Sequence, residues 1–529
     1  MGQYINPGNA GFSEIVQTNY VDKTGLIRLI NDTAGTVGKL TCISRPRRFG
    51  KSYAAKMLTA YYDCSCDSHA LFDDKEIAAS ADCKKHLNQY HVICFDVTGF
   101  ISAAKREGKP LQRIPGIIAD TLRAELIQMD PDLSGEKSFT DCVLRYVEKS
   151  GCQFVFIIDE WDALIREAKD DRETQKAWLS LLREWFKNST FTPKAVAAAY
   201  MTGILPIKKD GSQSAISDFR EYSILYPGKF AEYTGFTNRE VLELCGKYEM
   251  SYDEIKAWYD GYEISDFGDI YNPYSVMRAI EEKKCRSYWQ KTSSAESLMS
   301  FINMDFDGLR EVITRLIAGE EIEVNTDYFE NDFVTFKSRD DVLTLLIHLG
   351  YLTFLENEQT VRIPNEEVRI EFRNILRGID ANPKWLELIQ KSRKLLDDTI
   401  HGNEKAVSEA IAAIRETEYA PTFYNNEQAL RYVIKFAYIA GIDQYLKVEE
   451  LPSVTGIADV VYIPKRRSLL PPLVVELKWN RSAGGAIEQI KEKNYPAVLK
   501  DYGGDIVLAG INYDSQSKEH ACKIETIRI

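Results

Sequence analysis

The chain has 529 residues, 44% hydrophobic and 27% charged, with a formal net charge of −13. At roughly 150 residues per domain this length holds about three domains, and the composition is that of a soluble globular protein. The acidic balance argues against broad, nonspecific nucleic-acid binding, no window nears the ~18 uninterrupted apolar residues of a membrane helix, and ten cysteines are too sparse for a disulfide framework.

The first residues, "MGQYINPGNAGFSEIV", lack the basic head and apolar run of a secretory signal, so a reducing cytoplasm is the expected setting. "KLTCISRP" reads as a short apolar strand, "SYAAKMLTAYYD" as the helix after it, and "YHVICFDVTGF" and "GCQFVFIIDEWDAL" as a second and a third strand. "TQKAWLSLLREWFKN" has helical spacing and "KAVAAAYMTGIL" is a fourth strand. Continuous apolar strands alternating with helices predict an α/β fold with a parallel sheet covered on both faces. Cys64, Cys66, His69, Cys83 and His86 fit no standard zinc spacing and are read as ordinary reduced cysteines and histidines.

From about Glu232 the pattern is helical, with "TNREVLELCGKY" and "SYDEIKAWYDGY", followed by a turn-rich "IYNPYSVMRAI". Residues 307–377 read helix, short strand, helix, hairpin, helix. That is the order of a winged helix, here acidic and expected to serve as a packing module more than as a DNA reader. A helical stretch from Pro383 leads to a last unit reading helix, strand, strand, basic turn, strand, helix, strand. From Ala420 to the end there are 14 Lys/Arg and 13 Asp/Glu, so this unit is the one least repelled by a phosphate backbone.

Between the first strand and its helix lies Ser44-Arg-Pro-Arg-Arg-Phe-Gly-Lys-Ser52. Its end matches G-x-x-x-x-G-K-[ST], but Arg45 stands at the first glycine position. Backbone N–H groups at a helix start, with the helix dipole, favour an anion there. Gly50 allows close approach, Lys51 reaches the β- and γ-phosphates, and Ser52 ligates Mg2+. Arg48 and Phe49, within the loop, are counted with its nucleotide-binding residues. At the end of the third strand, Asp159 is placed to hold the metal shell and Glu160 to polarise the attacking water. Thr202, at the end of the fourth strand, either senses the γ-phosphate or simply makes a turn with Gly203. Asp96 is read as structural, and Asp162 as a cap or turn residue without chemistry. Arg183 is read as a surface residue, with a trans arginine as the alternative. Arg45, Arg47 and Arg48 either face the phosphates or brace the loop, and the spacing does not choose.

These segments also resemble a known family. "YVDKT" (Tyr20–Thr24), "SRPRRFGKS", "IIDEWD", "MTGILPI", "WYDGY" (Trp258–Tyr262), "YNPYS" (Tyr271–Ser275) and "LGYLT" (Leu349–Thr353) together resemble a bacterial AAA-ATPase-like family. R-P-R-R-F-G-K-S is that family's usual loop. The resemblance spans most of residues 4–290 and implies an ATPase core related to the STAND signal-transduction ATPases, followed by a helical lid and a winged helix.

In the last unit "LVVELKW" places Glu476 and Lys478 on one face of a strand and Val475 and Leu477 on the other. Asp459 starts the preceding strand. Two carboxylates with a backbone carbonyl can hold Mg2+ near a phosphodiester, and Lys478 can orient the attacking water. Glu427, opening the helix before, offers a further carboxylate. Gln489, on the helix after, with Lys493 and Tyr495 beyond, suits positioning DNA or holding the site together. The order resembles the PD-(D/E)XK nuclease superfamily over roughly residues 420–512. The resemblance implies Asp459, Glu476 and Lys478 as the triad, Glu427 and Gln489 as auxiliaries, and a minor acidic position at Glu449. Ile457 stands where members commonly carry an arginine.

The expected organisation is a P-loop ATPase core over 1–231, a helical lid over 232–306, a winged-helix-like unit over 307–382, and a helical linker with a nuclease domain over 383–529. The expected cofactors are ATP and Mg2+. The expected partner is nucleic acid, DNA above RNA, with ATP-dependent self-association. By family analogy alone, defence against foreign nucleic acid or control of mobile elements is the context. The alternatives are a signalling or scaffold ATPase whose nuclease-fold domain binds without cutting, and a nuclease whose P-loop holds nucleotide statically.

Overall fold

The computed structural model describes residues 2–207, 209–210, 213–214, 216, 218–264, 267–289, 309–327, 329, 338–378, 383–418, 427–438, 445–453, 456–464, 470–492, 499 and 504–528. They divide into two compact units, 1–309 with 322–371, and 310–321 with 372–529. Among the described residues no helix is long and apolar enough to cross a membrane.

The first unit is built on strands β1 (Leu40–Ser44), β2 (His91–Asp96), β3 (Phe154–Asp159), β4 (Val196–Gly203) and β5 (Arg220–Tyr222) in the order β2-β3-β4-β1-β5. All neighbouring pairs are parallel. The three-residue β5 is an addition to the four strands read from the sequence. Period-two alternation sends Cys42, Ile93, Phe95, Phe156 and Ile158 to one face. Ile43, Val92, Val155 and Ile157 go to the other. On the second face sits α1 (Lys51–Tyr62), which buries Ala54, Met57 and Leu58. On the first face lie α2 (Val97–Arg106), α3 (Ile114–Met129), α4 (Phe139–Ser150), α5 (Ala163–Glu167) and α6 (Arg172–Phe186). Burial on both faces is why these strands read as unbroken apolar runs. "YHVICFDVTGF" is only half strand: Asp96 accepts from the Thr98 N–H at 2.8 Å and caps α2, so the chain turns helical at Val97.

Helices α7 (Asn238–Tyr248), α8 (Tyr252–Tyr259) and α9 (Pro273–Glu282) follow. A capping box between Thr237 and Glu240 starts α7. The stretch read as turn-rich is a helix start: Asn272 accepts from Tyr274 N at 3.0 Å and Pro273 takes the first helical position. Beyond it lie α10 (Leu309–Ala318), α11 (Arg339–Leu349) and α12 (Glu366–Gly378), with a three-stranded antiparallel sheet of Ile322–Glu323, Thr360–Arg362 and Thr353–Leu355. Residues of the expected 307–382 unit fall in both compact units.

The second unit has α13 (Pro383–Ile400), α14 (Glu404–Glu418) and α15 (Glu427–Ala437). Its mixed sheet comprises β6 (Tyr445–Ser453), β7 (Gly456–Pro464), β8 (Leu473–Trp479), β9 (Asp505–Asp514) and β10 (Glu519–Arg528), in that order. Only β8 and β9 are parallel, and α16 (Ala483–Glu492) is the crossover between them. Val460, Tyr462, Val475 and Leu477 pack on α13, α14 and α15. Val461, Val474 and Leu508 pack on Ile487 and Ile490 of α16. Strand β10 is an addition to the strands read from the sequence; Cys522 and Ile524 pack on one face of the sheet and Ile527 on the other. Lys493, Tyr495 and most of the basic turn lie outside the described residues.

Candidate functional site

In the first unit the loop from β1 to α1 opens on a cavity of about 1090 Å3. Gly50 takes φ +86° in the left-handed region, where glycine alone is at ease, and leads directly into α1. Arg48, Phe49, Gly50, Lys51 and Ser52 all line the cavity. Ser52 is exposed to it, whereas Lys51 is buried. Lys51 Nζ donates to the carbonyls of Arg45 at 3.0 Å and Pro46 at 2.9 Å. Burial lowers the Lys51 pKa, and Glu160, 3.8 Å away, works against that.

Glu160 forms the facing wall, in the left-handed region at φ +51°. Its Oε2 accepts from Arg166 Nη2, a residue of α5 that the sequence did not single out. Arg166 Nε also donates to Asp162 Oδ2 at 3.0 Å. Burial raises the Glu160 pKa, so its carboxylate holds a proton more readily than a surface glutamate. Asp159 lies behind it. Asp159 Oδ1 accepts from Thr202 Oγ1 and from Glu160 N at 3.1 Å. Thr202 is fully buried on this bond, and neither it nor Asp159 is among the residues that line the cavity.

Asp162 brackets two strands. Its Oδ2 accepts from Ile204 N at 3.2 Å and Leu205 N at 2.9 Å. Arg183 lies on α6. The cavity wall also carries aromatic and apolar side chains, Tyr20, Met57, Tyr233, Phe236, Tyr274 and Met277, among charged ones such as Lys23, Lys105, Glu167, Arg278 and Glu281. Cationic groups for phosphates and aromatic surface for a base are what a nucleotide requires. Tyr20 and Tyr274 lie inside "YVDKT" and "YNPYS", the signal that could have marked this wall. Gly235, also in the wall, donates its N–H to Phe49 O at 3.0 Å.

The second unit brings Asp459, Glu476, Lys478 and Gln489 together. Glu476 is buried, and its Oε1 accepts from Lys478 Nζ at 3.1 Å and from Gln489 Nε2. Its Oε2 is buried with no hydrogen-bond partner among the described residues. Burial and then Asp459 raise the Glu476 pKa. Asp459 Oδ2 accepts from Leu477 N at 2.8 Å, and its Oδ1 pairs with Arg431 of α15 at 2.5 Å. Arg431 was missed; its position one turn after Glu427 on the same helix was the available cue. Glu427 is exposed at the start of α15. Glu449 and Ile457 lie on β6 and β7, but their side chains are outside the described residues. Among the described residues no three His, Cys, Asp or Glu side chains are grouped to hold a metal ion. His86 bonds Tyr90 at 2.7 Å and His69 bonds Asp67 at 2.8 Å.

A parallel sheet, a Gly-Lys-Ser loop between β1 and α1, and Asp-Glu at the end of β3 give the first unit an α/β fold with the parallel-sheet arrangement of P-loop proteins. Residues 8–212 match the family model described as "Predicted AAA-ATPase". The chain is similar over 521 residues, at 23% identity, to the Azotobacter chroococcum mcd 1 protein described as "Uncharacterized protein in vnfD 5'region", spanning 94% of this chain and 93% of that one. Solved structures of the Aeropyrum pernix ORC2 protein, with ADPNP and ADP or with ADP, align over 68% of this chain and 96% of theirs at 12% identity and a TM-score of 0.26.

Proposed function

We propose that the first unit binds ATP in this cavity and hydrolyses it. The observation that carries the reading is Glu160 held between Lys51 and Arg166 at the mouth of a helix-start phosphate loop. An incoming triphosphate offers Lys51 better acceptors than the two loop carbonyls. Glu160, with its pKa raised by burial, takes a proton from water as the water oxygen bonds to the γ-phosphorus and the bond to the β,γ-bridging oxygen breaks. Thr202 Oγ1 and Glu160 N both donate to Asp159 Oδ1, and Oδ2 is the oxygen that a cation would take. Ser52 and Asp159 would hold Mg2+, which would supply positive charge to offset that of the phosphates. The test is nucleotide binding and phosphate release by the full chain against Lys51→Ala. Loss of both supports the reading; a variant that binds and turns over like wild type sinks it.

For the second unit we propose metal-dependent nuclease chemistry of the PD-(D/E)XK type, with DNA as the favoured substrate. The orphaned, buried Glu476 Oε2 beside Asp459 supports it, because a divalent cation would satisfy that oxygen. Asp459 and Glu476 would hold Mg2+, which would supply Lewis-acid polarisation of a phosphodiester. Lys478 would orient water, and Gln489 fixes Glu476. Arg431 on Asp459 favours a second reading, a domain that binds nucleic acid without cutting. Linear and circular DNA with Mg2+ or Mn2+ separates the two. Cleavage lost in Glu476→Ala and Lys478→Ala supports a nuclease, and DNA retention without cleavage supports the binder.

A further inference from the structure

We propose that Arg47 binds the terminal phosphate of the nucleotide and so makes the site select ATP over ADP; this rests on the ATP-binding reading above. The three arginines of the loop have separate fates. Arg45 is fully buried and donates to Ser44 O at 3.0 Å and Tyr222 O at 2.9 Å, so it is committed to the core. Arg48 donates to Tyr288 O at 2.8 Å and its guanidinium carbon lies 4.4 Å from the Tyr274 ring centroid, so it braces the cavity wall. Arg47 is half-buried, lines the cavity, and makes no hydrogen bond or ion pair among the described residues.

The position of Arg47 indicates which phosphate it would meet. Arg47 lines the cavity together with Lys51, Glu160 and Arg166, and Arg166, Glu160 and Asp162 act on its charge. Lys51 Nζ is 3.8 Å from Glu160, and in a loop of this kind the lysine lies along the β- and γ-phosphates with the catalytic carboxylate beyond the γ-phosphate. A cation beside Glu160 is therefore at the terminal-phosphate end. Burial, and after it the like charge of Arg166, lower the Arg47 pKa. Arg166 is ion-paired with two carboxylates, Glu160 and Asp162, whereas Arg47 makes no ion pair among the described residues and its guanidinium donors are open to an anion in the cavity. A guanidinium matches a phosphate with two parallel donors. ADP ends one phosphate short of that place.

The experiment is calorimetric titration of the full chain with ADP and with a non-hydrolysable ATP analogue, for wild type, Arg47→Gln, Arg47→Lys and Lys51→Ala. A charge-assisted bond to one phosphate predicts about 10- to 100-fold weaker analogue binding in Arg47→Gln. ADP affinity should stay within about 3-fold, which also reports that the variant is folded. Arg47→Lys should recover part of the loss, because it restores the charge but not the paired donors. If Arg47→Gln does not fold, Arg47→Lys carries the same ADP-against-analogue comparison. Equal weakening of both ligands, or no change in either, overturns the role of Arg47 and leaves the nucleotide site standing. A wild-type chain that binds neither ligand overturns the ATP reading itself.

Discussion

Asp162→Ala should destabilise the first unit far more than Asp162→Asn. Asp162 is fully buried, and one oxygen, Oδ2, accepts from Ile204 N at 3.2 Å, Leu205 N at 2.9 Å and Arg166 Nε at 3.0 Å. Alanine strands two amides at the exit of β4, each costing about 1–3 kcal/mol. Arg166 keeps its bond to Glu160, so its loss is partial, and the expected total is about 3–5 kcal/mol. Asparagine places an amide oxygen where Oδ2 was. It keeps both amides satisfied and gives up the charge, for about 1–2 kcal/mol. Urea unfolding of full-length variants, followed by the fluorescence of Trp161, Trp178 and Trp185, all fully buried in this unit, reads the difference as a midpoint shift. Alanine within 1 kcal/mol (about the cost of one ordinary hydrogen bond) of wild type, or asparagine as damaging as alanine, would refute the bracket.

Glu160→Gln should lower phosphate release by about 100-fold or more while ATP-analogue affinity is retained; unchanged release favours a static nucleotide holder. Glu367, buried on α12, accepts from Tyr288 N at 2.7 Å, and burial pushes its carboxyl up to about 7. The fold therefore prefers the protonated form. Its contribution is complete below the unfolded value of about 4.3 and is lost as pH rises through about 7, an amount near 3 kcal/mol. Glu367→Gln stays neutral, so its stability relative to wild type should rise between pH 5 and pH 8 by roughly 1–3 kcal/mol; a pH-independent difference in urea midpoints contradicts this. Gly235→Ala should disrupt the cavity wall, since a Cβ there would lie 2.1 Å from Ile270 Cγ2 at a φ of +102°. A thermal shift within about 2 °C of wild type would show that the wall yields.

What was legible in the sequence was local. Strand, loop and helix around Lys51 follow one another within the segment Leu40–Tyr62, and Asp159-Glu160 ends an apolar run, so both could be read from neighbouring residues. On β8, period two put Glu476 and Lys478 together, and Gln489 lies one crossover turn away. The aromatic wall was not legible because Tyr20, Tyr233 and Tyr274 come from separate segments. Arg166 escaped notice because a five-residue helix at α5 carries no periodicity to read. Asn272-Pro273 was taken for a turn signal, yet asparagine followed by proline at the first helical position is equally a start signal. Only the apolar residues after it, Val276, Ala279 and Ile280, decide for the helix.

The departure at the first glycine of the loop has a structural account. That position tolerates a side chain because Arg45 is not among the residues with positive φ; the left-handed residues of the loop are Arg48 at +71° and Gly50 at +86°. Arg45 can thus turn inward to Tyr222 O on the edge strand β5, joining the loop to a part of the sheet that a glycine could not reach. Arg48 has a cost to meet, since a non-glycine residue in this region gives up about 1–2 kcal/mol. Its bond to Tyr288 O and its stacking on Tyr274 hold it there. Glu160, across the cavity at +51°, is held in the same way, by its own N–H on Asp159 and its carboxylate on Arg166. Both strained non-glycine residues line the cavity, and each is fixed by groups outside the loop motif itself. The geometry of this site therefore depends as much on Tyr288, Tyr274 and Arg166 as on Gly50, Lys51 and Ser52.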